Sequence, residues 1–318
     1  MDKVIRIGTR DSQLALWQAN AVKSKLEALG YKTELVPVKS TGDLVLDKPL
    51  YEMGITGIFP KTLDIAMLNG TVDIAVHSMK DVPTALPKGI IQSAVLERAA
   101  TQDVLVANKP IDYSKPCIIA TGSLRRKAQW LHKYPHHTVI DLRGNVQTRL
   151  KKLKDNNWDG AIFAKAGLER LRYLTNYLSE EKIESISFSG VGKDLDWMLP
   201  APAQGAMVIV TLKNDDFCTQ AISKLNHKPA EVCTEIERDF LKTLEGGCTA
   251  PIGALAKIEG DEIQFKGCLF SLDGSKKIEI ERTVSIYSIA QAGEGIAREL
   301  LDAGGAILMK EIKINMTS

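Results

Sequence analysis

Short apolar runs alternate with amphipathic stretches along the first two-thirds of the chain. Residues 4–7 read as a strand, and residues 13–29 carry apolar positions at helical spacing up to Gly30. Residues 32–39 alternate as a second strand. A polar loop follows through Gly57, and Pro60 suits the first turn of a helix ending near Gly70. Residues 72–77 form a short run apolar enough for a buried parallel strand. The pattern restarts near Asp103. Strands are expected at 104–106, 117–120, 139–142 and 160–163, with helices at 124–134 and 146–156 between them. Such alternation implies α/β architecture, with ligand chemistry at the carboxyl ends of the strands.

The last hundred residues have a different pattern. An amphipathic helix at 231–244 precedes three strand patterns at 254–258, 262–270 and 277–284, separated by turns at Gly260 and Asp273–Gly274. A final helix is expected at 289–301. The fold class read from these elements is α/β: two α/β domains plus a smaller C-terminal α+β domain with an antiparallel sheet. Residues 1–98 with 200–222 form the first domain, 99–199 the second and 223–318 the third. The Pro-rich segment ending in the strand-like run 207–210 is the candidate return to the first domain.

A length of 318 residues suits two or three domains, and 44% hydrophobic with 25% charged residues is ordinary for a globular chain. Net charge is only +2, from 41 Lys and Arg against 39 Asp and Glu, which argues against a nucleic-acid binder driven by bulk charge. Five cysteines without a CxxC pair suggest neither a disulfide framework nor a zinc site. Neither GxGxxG nor GxxxxGK[ST] occurs, so nucleotide use is unsupported. With no leader-like start and no membrane-length apolar run, the expectation is a cytoplasmic protein with no membrane or nucleic-acid partner.

Within this balance the cations are locally concentrated. Residues 7–12 (IGTRDS), 121–126 (TGSLRR) and 142–150 (LRGNVQTRL) each follow an apolar run and place arginines where a helix begins. A helix N-terminus already carries partial positive charge and unpaired N–H groups, so acidic residues are favoured there. Taken singly, each arginine reads as a solvated surface residue. Three such junctions together point to an anion held between arginines and backbone amides.

Two further segments stand out. Residues 76–83 (VHSMKDVP) run from the buried strand into a turn, placing Asp81 at a strand's carboxyl end. A carboxylate there could shuttle a proton or stabilise a developing cation, and Lys80 adds an anion contact. The default for His77 is a satisfied core residue. Residues 244–248 (LEGGC) set Cys248 behind two glycines; a buried structural cysteine is the default, and the Gly-Gly-Cys turn raises the case for a reactive or modified thiol.

In this order the segments resemble the porphobilinogen deaminase family from Ile7 to about Ala254. Besides those quoted, the matching motifs are AGLER at 166–170 and QGA at 204–206. The resemblance implies two periplasmic-binding-protein-like domains around a cleft, a third domain, and a dipyrromethane cofactor joined to Cys248 by a thioether. It implies four head-to-tail condensations of porphobilinogen, ammonia loss at each, and hydrolytic release of hydroxymethylbilane by a monomer. Asp81 matches the catalytic acid. The positions matching cofactor or substrate carboxylate contacts are Arg10, Ser12, Lys61, Ser78, Lys80, Thr121, Ser123, Arg125, Arg126, Arg143, Gly144, Asn145, Arg149, Arg170 and Gln204. Thr56, Pro60, Thr62, Ala120 and Gly122 depart from the usual family residues. The competing readings are a non-catalytic binding protein for a small polycarboxylate and an RNA-binding module with arginines near Trp130 and Tyr134.

Overall fold

The computed structural model of the chain describes residues 3–39, 58–171, 191–244 and 250–317. The first sheet contains β1 (Ile5–Thr9), β2 (Thr33–Pro37), β3 (Ile74–Ser78), β4 (Ile90–Val95) and β10 (Met207–Leu212), in the order β2-β1-β3-β10-β4. β1 pairs in parallel with β2 and β3, whereas β10 runs antiparallel to both β3 and β4. The second sheet contains β5 (Asp103–Ala107), β6 (Ile118–Ala120), β7 (Thr138–Ile140), β8 (Gly160–Ala164) and β9 (Val191–Asp194), in the order β7-β6-β8-β5-β9. Here β6 is parallel to β7 and β8, and β5 is antiparallel to β8 and β9.

Both sheets therefore follow one plan: three parallel strands, then a reversed strand, then an edge strand. The reversed strand of each sheet lies across the chain's passage through the other. β10 returns from beyond the second sheet, and β5 opens it directly after β4. The chain thus passes between the sheets twice, at residues 96–102 and 195–206. This is a periplasmic-binding-protein-like arrangement, and both sheets are mixed. The expected parallel pairing holds for β1, β2 and β3 but not for β10, which lies on the opposite side of β3 from β1.

Helices α1 (Gln13–Ala28) and α2 (Ile58–Leu68) flank the first sheet, and α3 (Leu124–Lys133), α4 (Val146–Asp155) and α5 (Lys165–Arg170) accompany the second. α6 (Asp216–Ser223) follows β10 and buries Cys218, Ala221 and Ile222. Ile5, Ile7, Ile74 and Ile209 of the first sheet pack with Val22 and Leu26 of α1 in one buried cluster. Leu105, Ile119 and Ile162 of the second sheet pack likewise with Trp130 of α3.

The third sheet is an antiparallel meander of β11 (Ile252–Glu259), β12 (Glu262–Phe270) and β13 (Lys277–Ser285). It packs on α7 (Lys228–Thr243), α8 (Ala292–Leu300) and α9 (Ala306–Thr317) around fully buried Phe240 and Phe265, whose rings meet edge-on at 5.1 Å. Each such aromatic contributes on the order of 2–3 kcal/mol through burial.

Glu237 of α7 ties this sheet to both crossings. Its carboxylate, fully excluded from solvent, accepts from Arg98 Nη1 at 2.7 Å and Nη2 at 2.9 Å, from Ala203 N at 2.6 Å and from Ala256 N at 2.7 Å. Four acceptor positions thus meet four donors, the condition under which a buried charge is tolerated.

Candidate active site

The parallel strands of the two sheets end in loops that carry the residues singled out by sequence. Ser12 caps α1, and Ser123 and Asn145 cap α3 and α4, each accepting a backbone N–H through its side chain. None of α1 to α5 has an acidic residue in its first turn, whereas α6, α7 and α8 carry Asp216, Glu231 and Glu294 there. The helices that follow the arginine-bearing loops, α1, α3 and α4, thus lack the acidic first turn that the helix dipole favours.

β3 delivers Ser78 and a single 3-10 turn, Met79–Asp81. Gln18 Nε2 donates to Ser78 Oγ at 2.8 Å. Arg10, Ser12, Gln18, His77, Ser78 and Asp81 share a cavity of about 70 Å³. Asp81 is exposed. His77 departs from the expected satisfied core residue: it is buried, yet its Nε2 has no hydrogen-bond partner. Burial first, and the Arg10 charge second, push its pKa down to about 4, so the ring is neutral at physiological pH. Lys80 Nζ donates to Gln204 Oε1 at 3.2 Å. Burial and the Arg126 charge pull the Lys80 pKa down to about 8, with Asp81 opposing.

Arg125 and Arg126 sit in the first turn of α3, each only 5% exposed, and both engage Asp103. Arg125 Nη1 donates to Asp103 Oδ2 at 2.7 Å and to the Leu199 carbonyl at 2.7 Å. Arg126 Nε donates to Asp103 Oδ1 at 3.0 Å, and its Nη2 lies 2.8 Å from the same oxygen. Gln204 Nε2 completes the knot, donating to Asp103 Oδ1 at 2.9 Å and the Thr101 carbonyl at 2.7 Å. Burial raises the Asp103 pKa, but the two guanidiniums more than offset this and hold it well below the usual carboxylate range. Two cations thus share one anion. Arg125 Nε is buried without a partner.

The β7–α4 loop adds Arg143, and the first turns of α4 add Arg149. Gly144 adopts φ +113°, and a Cβ there would lie 2.7 Å from Thr148 Cγ2, so only glycine fits the turn. Asn145 Oδ1 accepts from Thr148 N and Oγ1, both at 2.9 Å. Arg149 Nε donates to the Gly144 carbonyl at 2.8 Å. Burial and neighbouring Arg126 lower the Arg149 pKa to about 10. Burial also lowers that of Arg143, whose Nη1 is buried without a partner. Thr121 is buried, with Oγ1 accepting from Ser123 N at 3.3 Å. Arg170 Nη2 donates to the Gly205 carbonyl at 2.7 Å, its guanidinium lies 5.6 Å from the Trp17 ring centre, and burial takes its pKa to about 10. Gln147 of α4 also donates to Gln13 of α1, a second link between the sheets.

Asp81 joins these groups electrostatically. Burial lowers the pKa values of Lys80, Arg126 and Arg149, and the Asp81 charge partly opposes this in all three, although the latter two belong to helices of the other sheet. Lys61 is exposed in the first turn of α2. Cys248 and Thr56 lie outside the described residues. Asp103, Glu237 and Trp17 were not singled out in sequence. A charged residue bordering an apolar run ordinarily reads as solvated, and only the tertiary pairing shows otherwise.

Desolvated cations that repel one another, with two buried guanidinium N–H groups unmatched, favour an anionic ligand. Sequence comparison bears directly on which one. The family described as "Porphobilinogen deaminase, dipyromethane cofactor binding domain" matches residues 5–220, and "Porphobilinogen deaminase, C-terminal domain" matches residues 231–302. The chain belongs to the porphobilinogen deaminase family. Relatives named porphobilinogen deaminase include one from Syntrophomonas wolfei, 38% identical over 97% of this chain and 99% of that protein. One from Dictyostelium discoideum is 39% identical over 98% and 97% of the two chains. A chloroplastic relative from Oryza sativa subsp. japonica is 42% identical over 88% of this chain and 78% of its own.

Family membership favours the enzyme over the non-catalytic binding protein and the RNA-binding module. The deaminase family's dipyrromethane carries several carboxylates, and the unmatched N–H groups of Arg125 and Arg143 fit such a group. Among the described residues no helix is long and apolar enough to cross a membrane.

Proposed function

We propose that the protein is a transferase that condenses four porphobilinogen molecules head to tail on a dipyrromethane primer attached through a thioether to Cys248. Ammonia leaves at each addition, and hydrolysis frees hydroxymethylbilane. The observation that carries this reading is Asp81 at the carboxyl end of β3, facing an under-compensated cationic cluster from the other sheet.

Arg10, Arg143, Arg149, Arg170 and Lys80 bind and orient the acetate and propionate groups, aided by Ser12, Ser78, Thr121, Ser123, Asn145 and the open turn at Gly144. Arg125, Arg126 and Gln204 act from the Asp103 knot, where the second positive charge is left over for a ligand carboxylate. Lys61 supplies a further cation from α2. When bound, the dipyrromethane supplies the nucleophilic pyrrole carbon that is extended. Asp81 stabilises the positive charge that develops as substrate loses ammonia, and accepts or returns protons at the pyrrole nitrogen and departing amine. The arrangement divides labour: cations position carboxylates, and one carboxylate meets the cationic centre. Residues 1–98 with 200–222 and residues 99–199 supply the two sides of the cleft, and 223–318 supplies the attachment cysteine, in a cytoplasmic monomer.

The test is turnover of porphobilinogen by wild type and Asp81→Ala, with ammonia and hydroxymethylbilane both measured. Wild type should release four ammonia molecules per product, while Asp81→Ala keeps substrate-induced thermal stabilisation and loses turnover. Near-normal ammonia release by Asp81→Ala would refute the role given to that carboxylate.

A further inference from the structure

Arg238 lies on α7, a helix of the third sheet's layer, yet its guanidinium reaches the Asp81 loop. Nη1 donates to the Met79 carbonyl at 3.2 Å and the Val82 carbonyl at 2.9 Å, and Nη2 donates to the Pro83 carbonyl at 2.6 Å. These three acceptors bracket Asp81 on both sides. Within the loop, Val82 N closes the short turn on the Met79 carbonyl at 3.1 Å, and Met79 N holds to the Ala206 carbonyl at 3.0 Å. The Asp81 side chain itself is exposed, so its position follows from the backbone beneath it.

We propose that Arg238 is a positioning residue that fixes Asp81 relative to the cations across the cleft. The preceding residue, Glu237, is buried and bound to Arg98 and Ala203, one on each crossing between the sheets. The Asp81 loop and both crossings are therefore referred to two neighbouring residues of one helix. A planar fork with fixed N–H directions suits three carbonyls spread over five residues, whereas a lysine ammonium concentrates its donors at one point. Catalysis by a pre-placed charge depends steeply on placement, and a misplacement of about 1 Å costs on the order of 100-fold in rate.

This inference rests on the proposed deaminase activity, and its test separates the two. Wild type, Arg238→Ala, Arg238→Gln and Arg238→Lys are compared in porphobilinogen turnover, intact mass and amide hydrogen exchange. In Arg238→Ala, kcat should fall about 100-fold with KM little changed, the primer mass should remain, and the amides of residues 79–82 and 84 should exchange faster while those of the sheets do not. Arg238→Lys should restore part of kcat, and Arg238→Gln less. Unchanged loop exchange in Arg238→Ala, or wild-type kcat despite faster exchange, overturns the positioning role. Loss of kcat only together with general unfolding or loss of the primer also overturns it, leaving a plain structural staple. A wild-type protein that consumes no porphobilinogen sinks the deaminase reading instead.

Discussion

Replacing Asp103 by Asn probes the knot on which the cleft's arginines depend. Asp103 is wholly buried, and its oxygens accept from Arg125 Nη1 at 2.7 Å, Arg126 Nε at 3.0 Å and Gln204 Nε2 at 2.9 Å. Asparagine keeps the shape but turns one acceptor into a donor facing other donors, and leaves two buried guanidiniums without an anion. Breaking a buried pair in this way costs about 3–5 kcal/mol. At about 2–4 °C per kcal/mol for chains of this general size, Tm should drop by roughly 6–20 °C at pH 7. Because Asp103 has a depressed folded pKa, its contribution is complete above the unfolded value of about 3.9 and is lost as pH falls through the folded value. The stability gap between wild type and Asp103→Asn should therefore narrow as pH drops below about 4. Calorimetric scans across pH measure both effects. A gap below about 1 kcal/mol at pH 7, the range of an exposed ion pair, would refute the buried knot. A gap that ignores pH would refute the ionised carboxylate at its centre.

Two further outcomes follow from the cleft geometry. A Cβ on Gly122 would lie 2.6 Å from the Leu142 carbonyl, so Gly122→Ser should push the Arg143 loop away, cost about 1–3 kcal/mol and raise KM; unchanged Tm and KM would show that the loop yields freely. Lys80, whose pKa is lowered to about 8, loses its ammonium charge as pH rises through that value, so KM for porphobilinogen should climb above about pH 8 in wild type. The same lowered pKa means that holding Lys80 charged opposes folding below about 8, a cost that fades as pH rises toward the unfolded value near 10.4. A KM profile for Lys80→Gln with the same rise would assign it to another group.

The fold was legible where period and burial agree. The strand expected at 262–270 is β12 with the same bounds, and the helices expected from 124 and 146 start where α3 and α4 do. β9, with the sequence Val-Gly-Lys-Asp, escaped because a polar edge strand has no apolar face to betray it. The reversed direction of β10 was also hidden, since its run of buried apolar residues is the same for either direction.

In the site, the arginines at helix starts were visible as a breach of a local electrostatic rule. What they bind within the protein was not. Arg125 and Arg126 meet an aspartate more than twenty residues away, and that pairing is a product of strand order. Gly122 likewise read only as a departure from the usual family residue. The structure instead shows a close approach to the Leu142 carbonyl that a side chain would prevent. The Arg238 contacts span over 150 residues and three carbonyls, a relationship without any local pattern.

The central claim is that the cationic cleft serves a dipyrromethane primer on Cys248, and intact-mass spectrometry of the purified protein addresses it most directly. The mass should exceed that of the sequence by one dipyrromethane, the increment should map to Cys248, and Cys248→Ser should lack it. An unmodified wild-type protein that nonetheless turns over porphobilinogen at full rate would contradict the account.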